Sequence, residues 1–148
     1  MTYTLDYDEP LTKVIARLND EHKKLEPKLR SIEQLSKRGD LGAATSQLNS
    51  IKLTLLRHAV EEEARLMRVI MWEFEDNSTD SIIILRYHRK MVEFFEHTLP
   101  RLATLPEKVG GREVEIFVRE LRQHHRQEEV TVFPLALKAN RLYEKSHR

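Results

Sequence analysis

Apolar residues recur every three or four positions along most of the chain, in four stripes of helical period. The first stripe is Ile15, Leu18, His22, Leu25, Leu29 and Ile32, in a helix predicted over about residues 10–37. Asp8 is its expected N-cap, with Glu9 and Pro10 in the first turn, and Gly39 is its expected stop. The second stripe is Leu48, Ile51, Leu55, His58, Glu62, Leu66 and Val69, in a helix expected from about Asp40 to Asp76. The third is Ile84, His88, Met91, Phe95, Leu99 and Leu102, after the capping cluster Asn77-Ser78-Thr79-Asp80. The fourth is Val114, Phe117, Leu121, His124, Glu128, Leu135 and Leu142, in a helix expected from about Arg112 to Tyr143. Only four glycines occur; Gly39 and Gly110-Gly111 mark expected turns, and Gly42 follows the first. The pattern predicts an all-α protein, an antiparallel up-down-up-down four-helix bundle. Residues 1–10 read as an N-terminal arm and residues 11–148 as the bundle domain.

The seam of a bundle should be apolar, yet each stripe contains one histidine. The second and fourth add a glutamate four residues later, on the same helix face. The histidines are spaced 36, 30 and 36 residues apart, so His22 and His58 recur as His88 and His124 at an offset of 66. Glu62 recurs as Glu128 at the same offset, and Leu25, Leu29, Leu55 and Leu66 recur as Met91, Phe95, Leu121 and Val132. The chain therefore reads as two pseudo-repeated helical hairpins. Four imidazoles and two carboxylates are expected in one layer of the core. The His-x-x-x-Glu spacing alone is a weak signal: 18 glutamates in 148 residues give about one such pair by chance, against four present. The seam phase and the repeat make it specific.

Composition narrows the chemistry. There is no cysteine, which excludes disulfides, thiolate metal sites and cysteine nucleophiles. A net charge of +1 gives no general electrostatic reason to expect nucleic acid or an anionic membrane as partner. The opening segment MTYTLDYDEP has neither the basic nor the apolar region of a secretion signal, and the longest apolar run is Ile82 to Leu85. A cytoplasmic location is expected.

Two buried carboxylates are costly unless paired, and four imidazoles would have to supply that pairing unaided. A metal ion removes the difficulty, because it takes neutral imidazole and carboxylate as ligands. Six protein ligands exceed one tetrahedral zinc and suit two ions, each with two histidines and both sharing the glutamates. A His and a Glu four apart are separated by about 6 Å along the axis, so the glutamate can reach a second ion. Imidazole and carboxylate without thiolate point to iron, with zinc or manganese as alternatives in the isolated protein. With an oxo or hydroxo bridge each ion has five ligands, leaving one position for O₂, NO or peroxide.

The segments NDEHKKLEPKL, LLRHAVEEEARLM, LRYHRKMVEFF and LRQHHRQEEVTVFP carry a family resemblance. Over about residues 11–142 the chain resembles the hemerythrin-like (HHE) cation-binding domains. The most specific match is His124, Glu128-Glu129 and Phe133-Pro134, whose phase selects His124 over His125. The resemblance implies a four-helix bundle with a non-haem di-iron centre. It implies His22 and His58 on one iron, His88 and His124 on the other, and Glu62 and Glu128 as bridges. It also implies binding or sensing of O₂, NO or peroxide, or an oxygen-, redox- or iron-sensing or protective role. Oxygen-carrying hemerythrins have a further histidine where this chain has Val92, and the iron–sulfur repair proteins have a cysteine-containing segment absent here. Sensing or redox chemistry is therefore expected rather than reversible O₂ carriage. The alternatives are a di-iron oxidoreductase acting on peroxide or NO, and an iron-responsive regulatory interaction domain. No catalytic residue is singled out.

Other residues near the seam have plainer expectations. Glu26, Glu61, Glu63, His97, His125 and Glu129 are expected at the surface, and Tyr87 in core or rim packing. Trp72 is expected to pack near the end of the second helix. Pro27 and Pro134 are expected to shape their helices, and the basic tail from Lys138 to be a solvated helix end.

Overall fold

The computed structural model describes residues 5–74 and 79–146, and every regular element within them is helical. Asp76, Asn77 and Ser78 fall outside the described residues, so the expected end of the second helix and part of the third helix's capping cluster go with them. The same holds for residues 1–4 of the arm and the last two of the tail.

Helix α1 is Leu11–Lys37. Pro10, not Asp8, stands at its N-cap, where its constrained φ of −56° leads into the helix; the Asp8 N–H donates to Asp6 Oδ1 instead. Gly39 ends α1 as expected. Its φ of 79° lets the Gly39 and Asp40 N–H groups donate back to the Ser36 and Leu35 carbonyls. Asp40 then caps helix α2 by accepting from the Ala43 N–H at 3.1 Å.

Helix α2 comprises Leu41–Glu61, a π-helical turn Glu62–Met67, and Arg68–Phe74. Helix α3 comprises Thr79–Glu93, a π-helical turn Phe94–Thr98, and a 3₁₀ end Leu99–Thr104. Helix α4 comprises Glu107–Gln127, a π-helical turn Glu128–Val132, and Phe133–Ser146. It starts five residues earlier than the sequence suggests, with Gly110 and Gly111 inside it. The turn falls at Leu105-Pro106, where the residue before proline is extended. Gly110 serves packing: a Cβ there would lie 2.5 Å from Leu41 Cδ1 and 3.2 Å from the Leu102 carbonyl oxygen.

Two apolar clusters fill the bundle. One gathers Leu25, Leu29, Ile32, Leu48, Ile51, Leu55, Met91, Phe95, Val114 and Leu121; the other gathers Val14, Leu18, Leu66, Ile70, Ile84, Val132 and Ala136. Along α1 the chain passes from the second cluster to the first, and it returns along α2. Helix α3 repeats the passage of α1, and α4 that of α2. That alternation makes the bundle up-down-up-down. The four seam histidines sit where each helix crosses from one cluster to the other.

Beyond the two glutamates the seam departs from the expected register by one residue. Ile70 is buried one position after the expected Val69, and Ala136 one position after the expected Leu135; Ala139 is buried and the expected Leu142 is exposed. The cause is the extra residue in each π turn, which rotates the following helix by about 100°. Trp72, beyond the first of these turns, is 67% exposed rather than packed. The described part of the arm docks on α2, where Arg65 donates to the Asp6 and Glu9 carbonyls. No described helix is long and apolar enough to cross a membrane.

Candidate metal centre

The two hairpins deliver His22, His58, Glu62, His88, His124 and Glu128 to one level of the bundle, and all six are buried. Their ligand atoms form two overlapping groups that can hold a metal ion. One is His22, His58, Glu62 and Glu128; the other is Glu62, His88, His124 and Glu128; each lies within 4.8 Å throughout. The glutamates belong to both groups. Glu62 faces both sides, with Oε2 3.0 Å from His58 Nε2 and Oε1 3.0 Å from His88 Nε2. Glu128 Oε1 lies 3.2 Å from His22 Nε2 and 3.3 Å from His124 Nε2.

Two features fit a metal better than a self-sufficient polar network. Both oxygens of Glu128 are fully buried and accept no hydrogen bond, because the neighbouring ring nitrogens approach off the line an N–H donor needs. His22 Nε2 and His58 Nε2 also point at each other across 3.1 Å. One proton can bridge them in the metal-free layer, and an ion taking its place would have both nitrogens as ligands.

The electrostatics of the metal-free layer are uneven. Burial pushes His58 down, but Glu62 and Glu21 outweigh it and bring it up to about 9. Burial also works against His88, and Glu62 and Glu63 together raise it. Burial lowers His124 to about 3, and the neighbouring histidines help; it lowers His22 too, with His58 adding to the effect. Burial raises Glu62, yet His58 and His88 hold it well below the usual carboxylate range. One carboxylate is thus compensated by two imidazoles that favour the charged form. Glu128 faces the two that favour the neutral form.

Around this layer the structure corrects two readings of the sequence. His125 is buried, not exposed: its ring stacks on His22 with centroids 3.9 Å apart. Its repeat counterpart Ala59 is small and buried, a signal that this position faces inward. Glu61 is buried, not solvated, and is paired with Arg17, whose Nη1 donates to Oε2 at 2.8 Å. Glu129 keeps an exposed edge but also meets His22 Nδ1 at 2.9 Å. Glu21, unremarked in the sequence, lies 3.3 Å from His58 Nδ1. Glu63 and His97 are exposed as expected, and Glu26 lies half-buried away from the layer, paired with Arg122.

Tyr87 packs at the rim as expected, stacked on His124 with centroids 4.2 Å apart and its buried hydroxyl without a protein partner. An open groove of about 320 Å³, lined among others by Tyr87, Glu120, Gln123, His124 and Gln127, reaches the outer edge of His124. No family model, no curated protein and no solved structure matches the chain.

Proposed function

We propose that the protein is a hemerythrin-like di-iron protein that binds or senses O₂, NO or peroxide in the cytoplasm. The observation that carries this reading is the sharing of Glu62 and Glu128 by two groups of buried ligand atoms. That is what two ions bridged by carboxylates require. His22 and His58 hold one ion, and His88 and His124 the other. The bound pair would supply exchangeable coordination positions and one-electron redox chemistry.

The chain's own part is to orient the imidazoles and to exclude water with apolar clusters above and below. Zinc or manganese in the same ligands is the alternative for protein isolated without iron.

The test is metal analysis and a visible spectrum of protein loaded anaerobically with ferrous iron and then exposed to air. Two iron ions per chain and a new absorption band that depends on Glu62 and Glu128 support the reading. Less than one metal per chain with iron supplied would sink it.

A further inference from the structure

The offset of 66 carries the six ligands onto one another, but not the residues behind them. Glu129 meets His22 Nδ1 at 2.9 Å. Its counterpart Glu63 stops 3.8 Å from His88 Nδ1, beyond hydrogen-bond reach, and that nitrogen has no protein partner. Glu21 lies 3.3 Å from His58 Nδ1. Its counterpart is Tyr87, whose stacked ring offers His124 no acceptor, and His124 Nδ1 also has no protein partner. His125 stacks on His22, whereas the counterpart position beside His88 is Ala59.

An imidazole whose second nitrogen donates to a carboxylate is held in the ligating tautomer and is the stronger base. Such outer partners are worth roughly 10–100-fold each in metal affinity. Two moderating facts place the effect toward the lower end. Glu129 is 44% exposed, and Arg17 lies 3.9 Å from Glu21. Even so, both partners act on the same pair of histidines; on the other pair Glu63 reaches His88 only from 3.8 Å, and His124 Nδ1 has no protein partner.

We propose that the centre loads in a fixed order, the first ion at His22 and His58 and the second, exchangeable ion at His88 and His124, with Glu129 and Glu21 as the positioning residues. This rests on the reading of the layer as a two-metal site. The exchangeable position lies on the side of the groove that reaches His124.

The experiment is a titration of the metal-free full chain with Zn²⁺ alone, following the ring nitrogens of each histidine by NMR. The expected result is that His22 and His58 complete their shifts by the first equivalent, and His88 and His124 by the second. Glu129→Gln should weaken the first step by about tenfold or more, while Glu63→Gln changes either step by less than about threefold. Simple repulsion between two ions would also separate the steps, but it would not choose which pair responds first or single out Glu129. The proposal is overturned if His88 and His124 respond first, or if all four shift together. If no histidine responds to two equivalents, the two-metal reading itself falls. The order in the parent protein decides the matter even where a variant fails to fold.

Discussion

The two shared glutamates should respond oppositely to substitution by glutamine in the metal-free protein. Glu62 accepts from His58 and His88 at 3.0 Å each, and its charge is what raises both imidazoles against burial. Glu62→Gln removes one side of a buried ion pair, a change that costs about 3–5 kcal/mol because the other side stays buried and uncompensated. Glu128 accepts nothing and faces His22 and His124, both held toward the neutral form. Glu128→Gln removes a buried, unsatisfied carboxylate, and its amide can donate to a ring nitrogen 3.2–3.3 Å away. An unsatisfied buried group costs about 1–3 kcal/mol, so this substitution should stabilise by that amount. At this chain length 1 kcal/mol moves the melting temperature by about 2–4 °C. Calorimetry in chelator should therefore find Glu62→Gln lower by about 6–20 °C and Glu128→Gln higher by about 2–12 °C. With metal the signs converge: each variant loses a shared ligand, and with it most of the metal-induced rise, about 2.7 kcal/mol at a hundredfold excess over Kd. A metal-free Glu128→Gln as destabilised as Glu62→Gln would refute the reasoning, because the layer would then be satisfied without metal.

His124→Ala should abolish the second metal step in a zinc titration, whereas His125→Ala should keep two ions and lose only the stack on His22, lowering stability by about 1–3 kcal/mol; the reverse result would exchange their roles. Metal-free stability should fall as pH rises from 6.5 to 9. In that window His58, which Glu62 and Glu21 bring up to about 9 against burial, loses a contribution fully present below its ordinary value and worth about 3 kcal/mol. His124, held down to about 3, works the other way, since its contribution is present above 6.5 and lost on acidification. Urea midpoints across pH 4–10 check both, and a flat profile on the alkaline side contradicts the first. Gly110→Ala should destabilise by about 1–3 kcal/mol, because its Cβ would lie 3.2 Å from a backbone oxygen. Gly42→Ala, whose Cβ would come no nearer than 3.9 Å to Asp40 Oδ1, should stabilise by about 0.4–1 kcal/mol. Thermal melts of the two separate these outcomes.

The fold and the polar layer were legible for one reason: helical period converts residue number into face and height. Ile15, Leu18 and Leu25 around His22, and Ile84 and Met91 around His88, could be placed from spacing alone. What could not be read depends on contacts between helices. His125 is one step off the seam, and the rings of His22 and His58 packed against it make that position interior. Glu61 is buried because Arg17 from α1 reaches it. Gly110 looks like a turn until Leu41 and Leu102 are seen against it.

The π turns are the remaining departure, and their placement bears on the site. Two of the three, those of α2 and α4, begin at the shared glutamates, one turn after a seam histidine, and each adds one residue to the helix. Consecutive buried pairs also occur in the regular helix, as at Val14-Ile15 and Phe117-Val118. The π turns place two such pairs beneath the carboxylates, Leu66 with Met67 and Val132 with Phe133, all at most 2% exposed. These four seal the layer on the side of the second apolar cluster. Charge interactions in so dry a layer are several times stronger than at the surface, which deepens both the cost of an unpaired Glu128 and the gain from any cation placed beside it. A one-residue irregularity that defeats periodic reading of the sequence thus serves the same end as the ligand spacing: it makes the layer a place where a polar group needs a positive partner.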